Sequence, residues 1–201
     1  MKCRGEACFA QLKSTPFFRR TFSFAKLPRV TILFVCTGNT CRSPLAVAAW
    51  RALESAPDVK VLSAGFAARS GSRAEPLAVA VARTWNVDLS SHRARQLDET
   101  LMQSDLICTM TASSAQMLRE NFPDCAAKIR VLGEFIPMDK KAETDKDRLA
   151  QLLEIAPCEL QAQDINDPFG GSLENYQICG AQIQRAAGGL AAALRRGELK
   201  T

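Results

Sequence analysis

The chain alternates short apolar runs with longer stretches in which apolar residues recur every three or four positions. The runs at 31–35 (TILFV), 59–62 (VKVL), 105–109 (DLICT) and 129–132 (IRVL) read as strands bounded by polar or turn-forming residues. The stretch 43–56 reads as a helix with Ser43 as its cap and Pro44 at its first position. Further helices are predicted over 75–85, entered through Pro76, over a short segment at 97–103, and over 113–121. The last, 173–194, places Leu173, Tyr176, Ile183, Ala187, Leu190 and Leu194 on one stripe. Gly188 and Gly189 inside it each cost about 1 kcal/mol against Ala, which predicts a weak C-terminal half. Alternating strands and helices predict an α/β fold: a single three-layer domain with a four-stranded parallel sheet flanked by helices. There is no repeat and no sign of a second domain.

Composition narrows the class. A chain of 201 residues with 47% hydrophobic and 23% charged residues can bury a core without staples. No apolar run approaches the roughly 20 residues that span a bilayer, so a soluble, cytoplasmic protein with no membrane partner is expected. The net charge of +5 suggests nucleic acid until it is divided along the chain. Residues 1–29 hold seven basic residues and one acid, giving +6; the rest has 19 basic against 20 acidic, giving −1. A near-neutral domain argues against a nucleic-acid partner. The basic extension 1–29 lacks the apolar core and small-residue cleavage site of a secretory signal and resembles an Arg- and Ser-containing leader only loosely. It is expected to be a disordered tail, or the product of a start placed too early, outside a domain at 30–199. Eight cysteines are about 4% of the chain, well below a disulfide scaffold. None forms a CxxC pair with metal-ligand spacing, so no metal and no cofactor is expected. Cys108 and Cys179 read as small core residues in a reducing compartment.

The chemistry concentrates in VCTGNTCRSP, 35–44. The chain leaves a buried strand, crosses small polar residues and enters a helix, at the carboxyl end of a strand where open sheets bind ligands. Between Cys36 and Arg42 successive backbone N–H groups can converge and meet the positive end of the following helix, which suits three phosphate oxygens. Arg42 adds a planar fork that a lysine could not copy. Cys36 at the base feels the same field, and positive surroundings make a cysteine thiolate a ready nucleophile. Cys-x5-Arg alone occurs by chance in many chains; the strand before, the Ser-Pro after, and Gly38 and Asn39 within supply the context. Farther on, INDPFGGS at 165–172 carries Asp167, a carboxylic acid able to protonate a poor leaving group. Pro168 stiffens the backbone after it, and Gly170 and Gly171 would permit close approach to the loop. In isolation this segment would mark only a surface turn.

VCTGNTCRSP with INDPFGGS, together with SAGF at 63–66 and SSHRARQL at 90–97, resembles the low-molecular-weight protein tyrosine phosphatase family over roughly residues 29–199. The resemblance implies two-step hydrolysis through a phosphocysteine on Cys36, without metal, of phosphorylated protein substrates. It implies that Arg42 binds the phosphoryl group and that Asp167 is general acid and then base. Thr37, Gly38, Asn39, Thr40, Cys41 and Phe169 would contact substrate. It further implies a supporting network in which Asn39, Ser43, Ser63 and His92 hold the loop, with His92, the sole histidine, acting by hydrogen bonding rather than as a base. A satisfied surface histidine is the alternative.

Thr40 and DPFGGS resemble the protein arginine phosphatase branch, since tyrosine-directed members usually carry a bulky aliphatic residue at the Thr40 position. A hydroxyl in the pocket can accept from a guanidinium N–H, whereas an isoleucine would leave buried donors unpaired at a cost of about 1–3 kcal/mol. Neutral drift within a phosphotyrosine phosphatase is the alternative. Cys41 beside the nucleophilic Cys36 suggests an oxidative switch, a Cys36–Cys41 disulfide, against simple loop packing. The segment 134–163 is a longer charged insert than compact members of the family carry, with an amphipathic helix expected at 145–155. An arsenate reductase would need further cysteines to relay a disulfide, and Cys108 within a strand is badly placed for that. A non-catalytic phosphate-binding module is discouraged by the presence of Cys36, Arg42 and Asp167 together. A monomer is expected.

Overall fold

The computed structural model describes residues 30–53, 59–137 and 164–196. The extension 1–29, most of the insert 134–163 with its expected helix, and the end of the domain lie outside the described residues.

Four strands, β1 (Thr31–Cys36), β2 (Lys60–Gly65), β3 (Leu106–Thr109) and β4 (Ile129–Val131), form one parallel sheet in the order β2-β1-β3-β4. Among the described residues four α-helices accompany them: α1 (Arg42–Ala52), α2 (Pro76–Arg83), α3 (Ala112–Asn121) and α4 (Leu173–Arg195). The pleat of β1 splits the core in two. Ile32, Phe34 and Cys36 face one layer with Leu45, Trp50, Val81, Tyr176, Ile183 and Leu190 from α1, α2 and α4. Leu33 and Val35 face the other with Leu101, Met102, Ala115 and Leu118. Because both faces are covered, β1 is apolar from Ile32 to Cys36 instead of alternating.

Several boundaries differ from the sequence reading. The strand β2 runs three residues past the apolar run, through Ser63, Ala64 and Gly65, because pairing with Phe34, Val35 and Cys36 continues the ladder past the hydrophobic signal. Helix α1 begins at Arg42, not Ser43, and Ser43 does not cap it: Cys41 stands at that position with no side-chain cap bond, and the Ser43 hydroxyl turns inward. Only Leu101–Gln103 of the expected helix at 97–103 is helical, as a 3-10 turn, because Leu97 instead donates its N–H to the Gly65 carbonyl. On α4, Tyr176, Ile183, Ala187 and Leu190 are buried, but Leu173, at 45% exposed, is not, since it opens the helix beyond the core.

Helix α4 continues unbroken through Gly188 and Gly189 to Arg195. A Cβ on Gly189 would lie 1.8 Å from the carbonyl oxygen of Phe135, so this glycine lets the 3-10 turn Leu132–Phe135 lie directly on the helix. Packing gained there offsets the propensity lost.

The order β2-β1-β3 reverses direction at β1, so the crevice between the carboxyl ends of β1 and β3 is the switch point. Two segments converge there. One is the turn 37–41 after β1. The other is 164–168, tied to the end of β3 by Ile165 N–H to the Met110 carbonyl (2.9 Å) and Ala112 N–H to the Asp164 carboxylate (2.7 Å).

Candidate active site

At the switch point Cys36, Thr37, Gly38, Thr40, Cys41, Arg42, Asp167 and Phe169 line a pocket of about 190 Å³. Cys36 ends β1 at its base and is 4% exposed. Its Sγ receives the Asn39 backbone N–H at 3.3 Å and lies 3.0 Å from the Ser43 Oγ. The Ser43 hydroxyl also lies 3.3 Å from the Ala64 carbonyl and accepts from the Asn39 amide at 2.8 Å. A hydroxyl has one proton. With a protonated Cys36, Ser43 can direct its proton to Ala64; with a thiolate, the proton can swing to the sulfur.

Asn39 is the keystone of the loop. It is fully buried and adopts φ 53°, a left-handed conformation tolerated best by glycine and asparagine. Its side chain donates to Ser43 and accepts from Arg95 N–H at 2.8 Å, and its own carbonyl meets His92 Nε2 at 2.8 Å. A carbonyl only accepts, so Nε2 carries the proton in this tautomer. Burial, with Arg93, Arg95 and Arg51 nearby, holds the His92 pKa below its ordinary value, opposed by the bond to Asn39. The geometry therefore gives His92 a neutral, bond-donating place behind the loop.

Gly65 explains the SAGF motif. A Cβ there would stand 2.5 Å from the Thr37 carbonyl oxygen and 2.8 Å from Asn39 N, so only glycine lets the loop lie on the end of β2. Ser63 is not brought into the network. It sits opposite Phe34 in β2, and among the described residues no hydrogen bond joins it to the loop; the strand contributes the Ala64 carbonyl instead.

Arg42, at the start of α1, is 6% exposed, and its fork reaches across the pocket. Nη1 donates to the Ile165 carbonyl at 3.2 Å, while Nη2 donates to Thr37 Oγ1 at 3.4 Å and to Asp167 Oδ2 at 2.5 Å. The Nε of Arg42 is the buried side-chain nitrogen left without a partner among the described residues. The backbone N–H groups of Thr37, Gly38, Thr40 and Cys41 likewise donate to nothing among the described residues. Of these donors the Arg42 Nε is the one shown to be buried, and a buried donor is rarely left unpaired without a reason. Four amides around one turn and one guanidinium N–H make a receptor for a multiply charged oxyanion. Asp167, its side chain 44% exposed, is held by Phe169 N–H on Oδ1 at 3.2 Å, the Asx-type turn that Asp-Pro favours. Gly170 lies in the left-handed region at φ 75° with no atom within 4 Å of a Cβ; it shapes this turn and does not serve close approach to the loop.

Cys41 is buried, its Sγ 3.3 Å from Tyr176 Oη and 3.6 Å from Thr40 Oγ1. Burial raises its pKa, so Cys41 is a neutral thiol in the pocket wall. The Tyr176 hydroxyl was not foreseen as part of the site. Its place on the apolar stripe of α4 was legible, but its partner, 135 residues earlier, was not.

The family model for low molecular weight phosphotyrosine protein phosphatase matches residues 31–148 of this chain. The chain belongs to that family. A probable low molecular weight protein-tyrosine-phosphatase EpsP of Ralstonia nicotianae is 43% identical over 110 residues, 54% of this chain and 74% of the relative. A protein-arginine-phosphatase of Geobacillus stearothermophilus is 34% identical over 154 residues, 76% of this chain and 88% of the relative. The solved structure of the YwlE arginine phosphatase from Geobacillus stearothermophilus superposes with a TM-score of 0.67 at 31% identity, covering 84% of this chain and 95% of that one. The protein is thus a phosphatase of the low-molecular-weight class, with relatives that are protein phosphatases of both kinds. A disulfide-relay chemistry finds no support among the described residues. Cys108 is wholly buried in β3, with its thiol pushed far above the ordinary range, and burial lifts Cys179 to about 12. Among the described residues no helix is long and apolar enough to cross a membrane.

Proposed function

We propose that the protein removes phosphoryl groups from phosphoarginine in proteins, with Cys36 as nucleophile, Arg42 as phosphoryl clamp and Asp167 as general acid and base. The observation that carries the anion site is the set of unpaired donors, the amides of Thr37, Gly38, Thr40 and Cys41 and the Nε of Arg42. A phosphoryl dianion satisfies them together and takes over the Nη2 donor now held by Asp167. The displaced carboxyl then stands beside the leaving group. Cys36 Sγ attacks phosphorus, the bond from phosphorus to the substrate nitrogen breaks, and Asp167 delivers its proton to that nitrogen. Asp167, now a carboxylate, takes a proton from water; the water oxygen attacks phosphorus, the sulfur–phosphorus bond breaks, and Cys36 returns to a thiolate. Ser43 and the Asn39 N–H hold the sulfur's charge at both ends of the cycle.

Thr40 supports the arginine reading. It lines the pocket, and its hydroxyl, turned to Cys41 Sγ at 3.6 Å, keeps oxygen lone pairs free to accept from a guanidinium. One observation favours a phosphotyrosine reading: Phe169 is 66% exposed at the rim, an apolar wall well suited to a phenyl ring. The two are separated by measuring kcat/KM on matched phosphoarginine and phosphotyrosine peptides with wild type and Thr40→Ile. Wild type should prefer phosphoarginine, and Thr40→Ile should shift the ratio toward phosphotyrosine by roughly 5- to 150-fold, the equivalent of one buried unpaired donor. A wild type that prefers phosphotyrosine, or a ratio unmoved by the substitution, would refute the arginine assignment.

A further inference from the structure

We infer that the arginines beside the pocket form a docking rim for an acidic protein segment flanking the phosphorylated residue. The inference rests on the phosphatase reading of Cys36 and adds where the substrate's chain lies.

The rim is built from two segments zipped together. Gly71 N–H donates to the Ala94 carbonyl at 2.8 Å, Ala94 N–H to the Ser72 carbonyl at 2.7 Å, and Gln96 Nε2 to the Phe66 carbonyl at 2.8 Å. Gly65 pairs with Gln96 in a parallel bridge, so the second segment is extended where it meets the sheet. In extended backbone, residues two apart project to the same side. Ala94 is buried, and Arg93 and Arg95 on either side of it are exposed. Arg69 and Arg73 are exposed on the facing segment.

Both segments are fastened to the pocket. Ala67 N–H donates to the carbonyl of Thr37 and Glu75 N–H to that of Thr40, both pocket-lining residues. Arg69 and Arg73 each stand two residues from one of these anchors, about 7 Å of chain. Arg95 donates its own backbone N–H to Asn39. The side chains of Arg69, Arg73 and Arg95 make no hydrogen bond and no ion pair among the described residues, and Arg93 reaches only the backbone carbonyls of Ser90 and His92. Four exposed cations without carboxylate partners among the described residues thus sit on the two segments fastened to the pocket loop, in a domain of near-neutral charge. Unpaired like charges held together cost stability, which an acidic ligand would recover. An extended substrate spans about 3.3 Å per residue, so acidic side chains two to four positions from the phosphorylated residue reach this rim. The small extent of the rim favours a peptide over nucleic acid, whose binding draws on long basic tracks.

The test uses the full chain with three probes: p-nitrophenyl phosphate, a phosphopeptide with Asp and Glu on both flanks, and the same peptide with Asn and Gln instead. Wild type should turn over the acidic peptide about 10-fold faster in kcat/KM than the neutral one, with the advantage fading at high salt. Arg69→Glu/Arg73→Glu should abolish that advantage and leave p-nitrophenyl phosphate turnover unchanged, while Arg69→Lys/Arg73→Lys should retain most of it. Equal rates on the two peptides with wild type, or inhibition by a single-stranded oligonucleotide without any preference between peptides, would overturn the rim. Failure of wild type on p-nitrophenyl phosphate would instead overturn the phosphatase chemistry at Cys36, so the two failures are distinguishable.

Discussion

Replacing Asn39 with alanine tests whether the loop's shape is held by that single side chain. Two hydrogen bonds of 2.8 Å disappear, one to Ser43 Oγ and one from Arg95 N–H. Asn39 is fully buried, so water does not readily replace it. Stranding two polar groups costs about 1–3 kcal/mol each, and holding alanine at φ 53° adds about 1 kcal/mol. The expected loss is therefore about 3–7 kcal/mol, a large part of the roughly 5–15 kcal/mol that keeps a domain folded. Asn39→Gly loses the same bonds but accommodates the left-handed backbone, so it should be about 1 kcal/mol more stable than the alanine variant. Urea unfolding followed by circular dichroism gives both values, provided the slope with denaturant is unchanged. Under native conditions both variants should lose about 10- to 100-fold in kcat/KM on p-nitrophenyl phosphate, because Ser43 no longer has the donor that orients it toward Cys36. An alanine variant within about 1 kcal/mol of wild type, or one with undiminished turnover, would refute the keystone argument.

Asp167→Asn should lower kcat by about 10²- to 10⁴-fold, since an amide cannot deliver the proton; steady-state kinetics showing a loss below tenfold would remove Asp167 from the acid role. On α4, Gly188→Ala should stabilise by up to about 1 kcal/mol, as nothing lies within 4 Å of its Cβ, while Gly189→Ala should drive a methyl into the Phe135 backbone and destabilise severely; thermal melts that rank the pair the other way would contradict the packing described. His92 has a folded pKa below its unfolded value of about 6.5, so the unfolded chain binds the extra proton first as pH falls. The stabilisation it gives is present above pH 6.5 and drains away through the folded pKa. Urea midpoints measured from pH 7.5 to 5 should drop more steeply for wild type than for His92→Gln, and parallel curves would count against this. Peroxide should inactivate wild type in a form that dithiothreitol restores, by condensation of a Cys36 sulfenic acid with the Cys41 thiol and loss of water, while Cys41→Ser should progress to irreversible oxidation; irreversible loss in wild type would exclude the switch.

How much of this was legible in the sequence depends on the range of the interaction. The four strands and main helices follow from local periodicity, and the phosphate loop from seven consecutive residues whose types are set by backbone chemistry. What escaped is long-range. The cap expected of Ser43 gave way because the same hydroxyl is more valuable to Cys36 and Ala64, which no local pattern announces. The extension of β2 through Ser63–Gly65 comes from pairing with β1, and the role of Gly189 from the backbone of Phe135, about a quarter of the chain away. Ser63 fits the motif by position, yet its hydroxyl makes no bond to the loop among the described residues. The site residues Arg42 and Asp167 were identifiable separately, but not the bond between them.

That bond has a consequence for turnover. With the pocket unloaded, a carboxylate of the chain itself occupies part of the guanidinium fork. Once it has lost the proton it took from water, this carboxylate, tethered by Phe169 N–H, is present at a high effective concentration and competes with any anion left behind after hydrolysis. Spent orthophosphate in this cradle would therefore meet an internal rival for the Arg42 fork. On this reasoning the Asp167→Asn protein should be inhibited by inorganic phosphate at lower concentrations than wild type, and an inhibition constant no lower than the wild-type value would sink the idea.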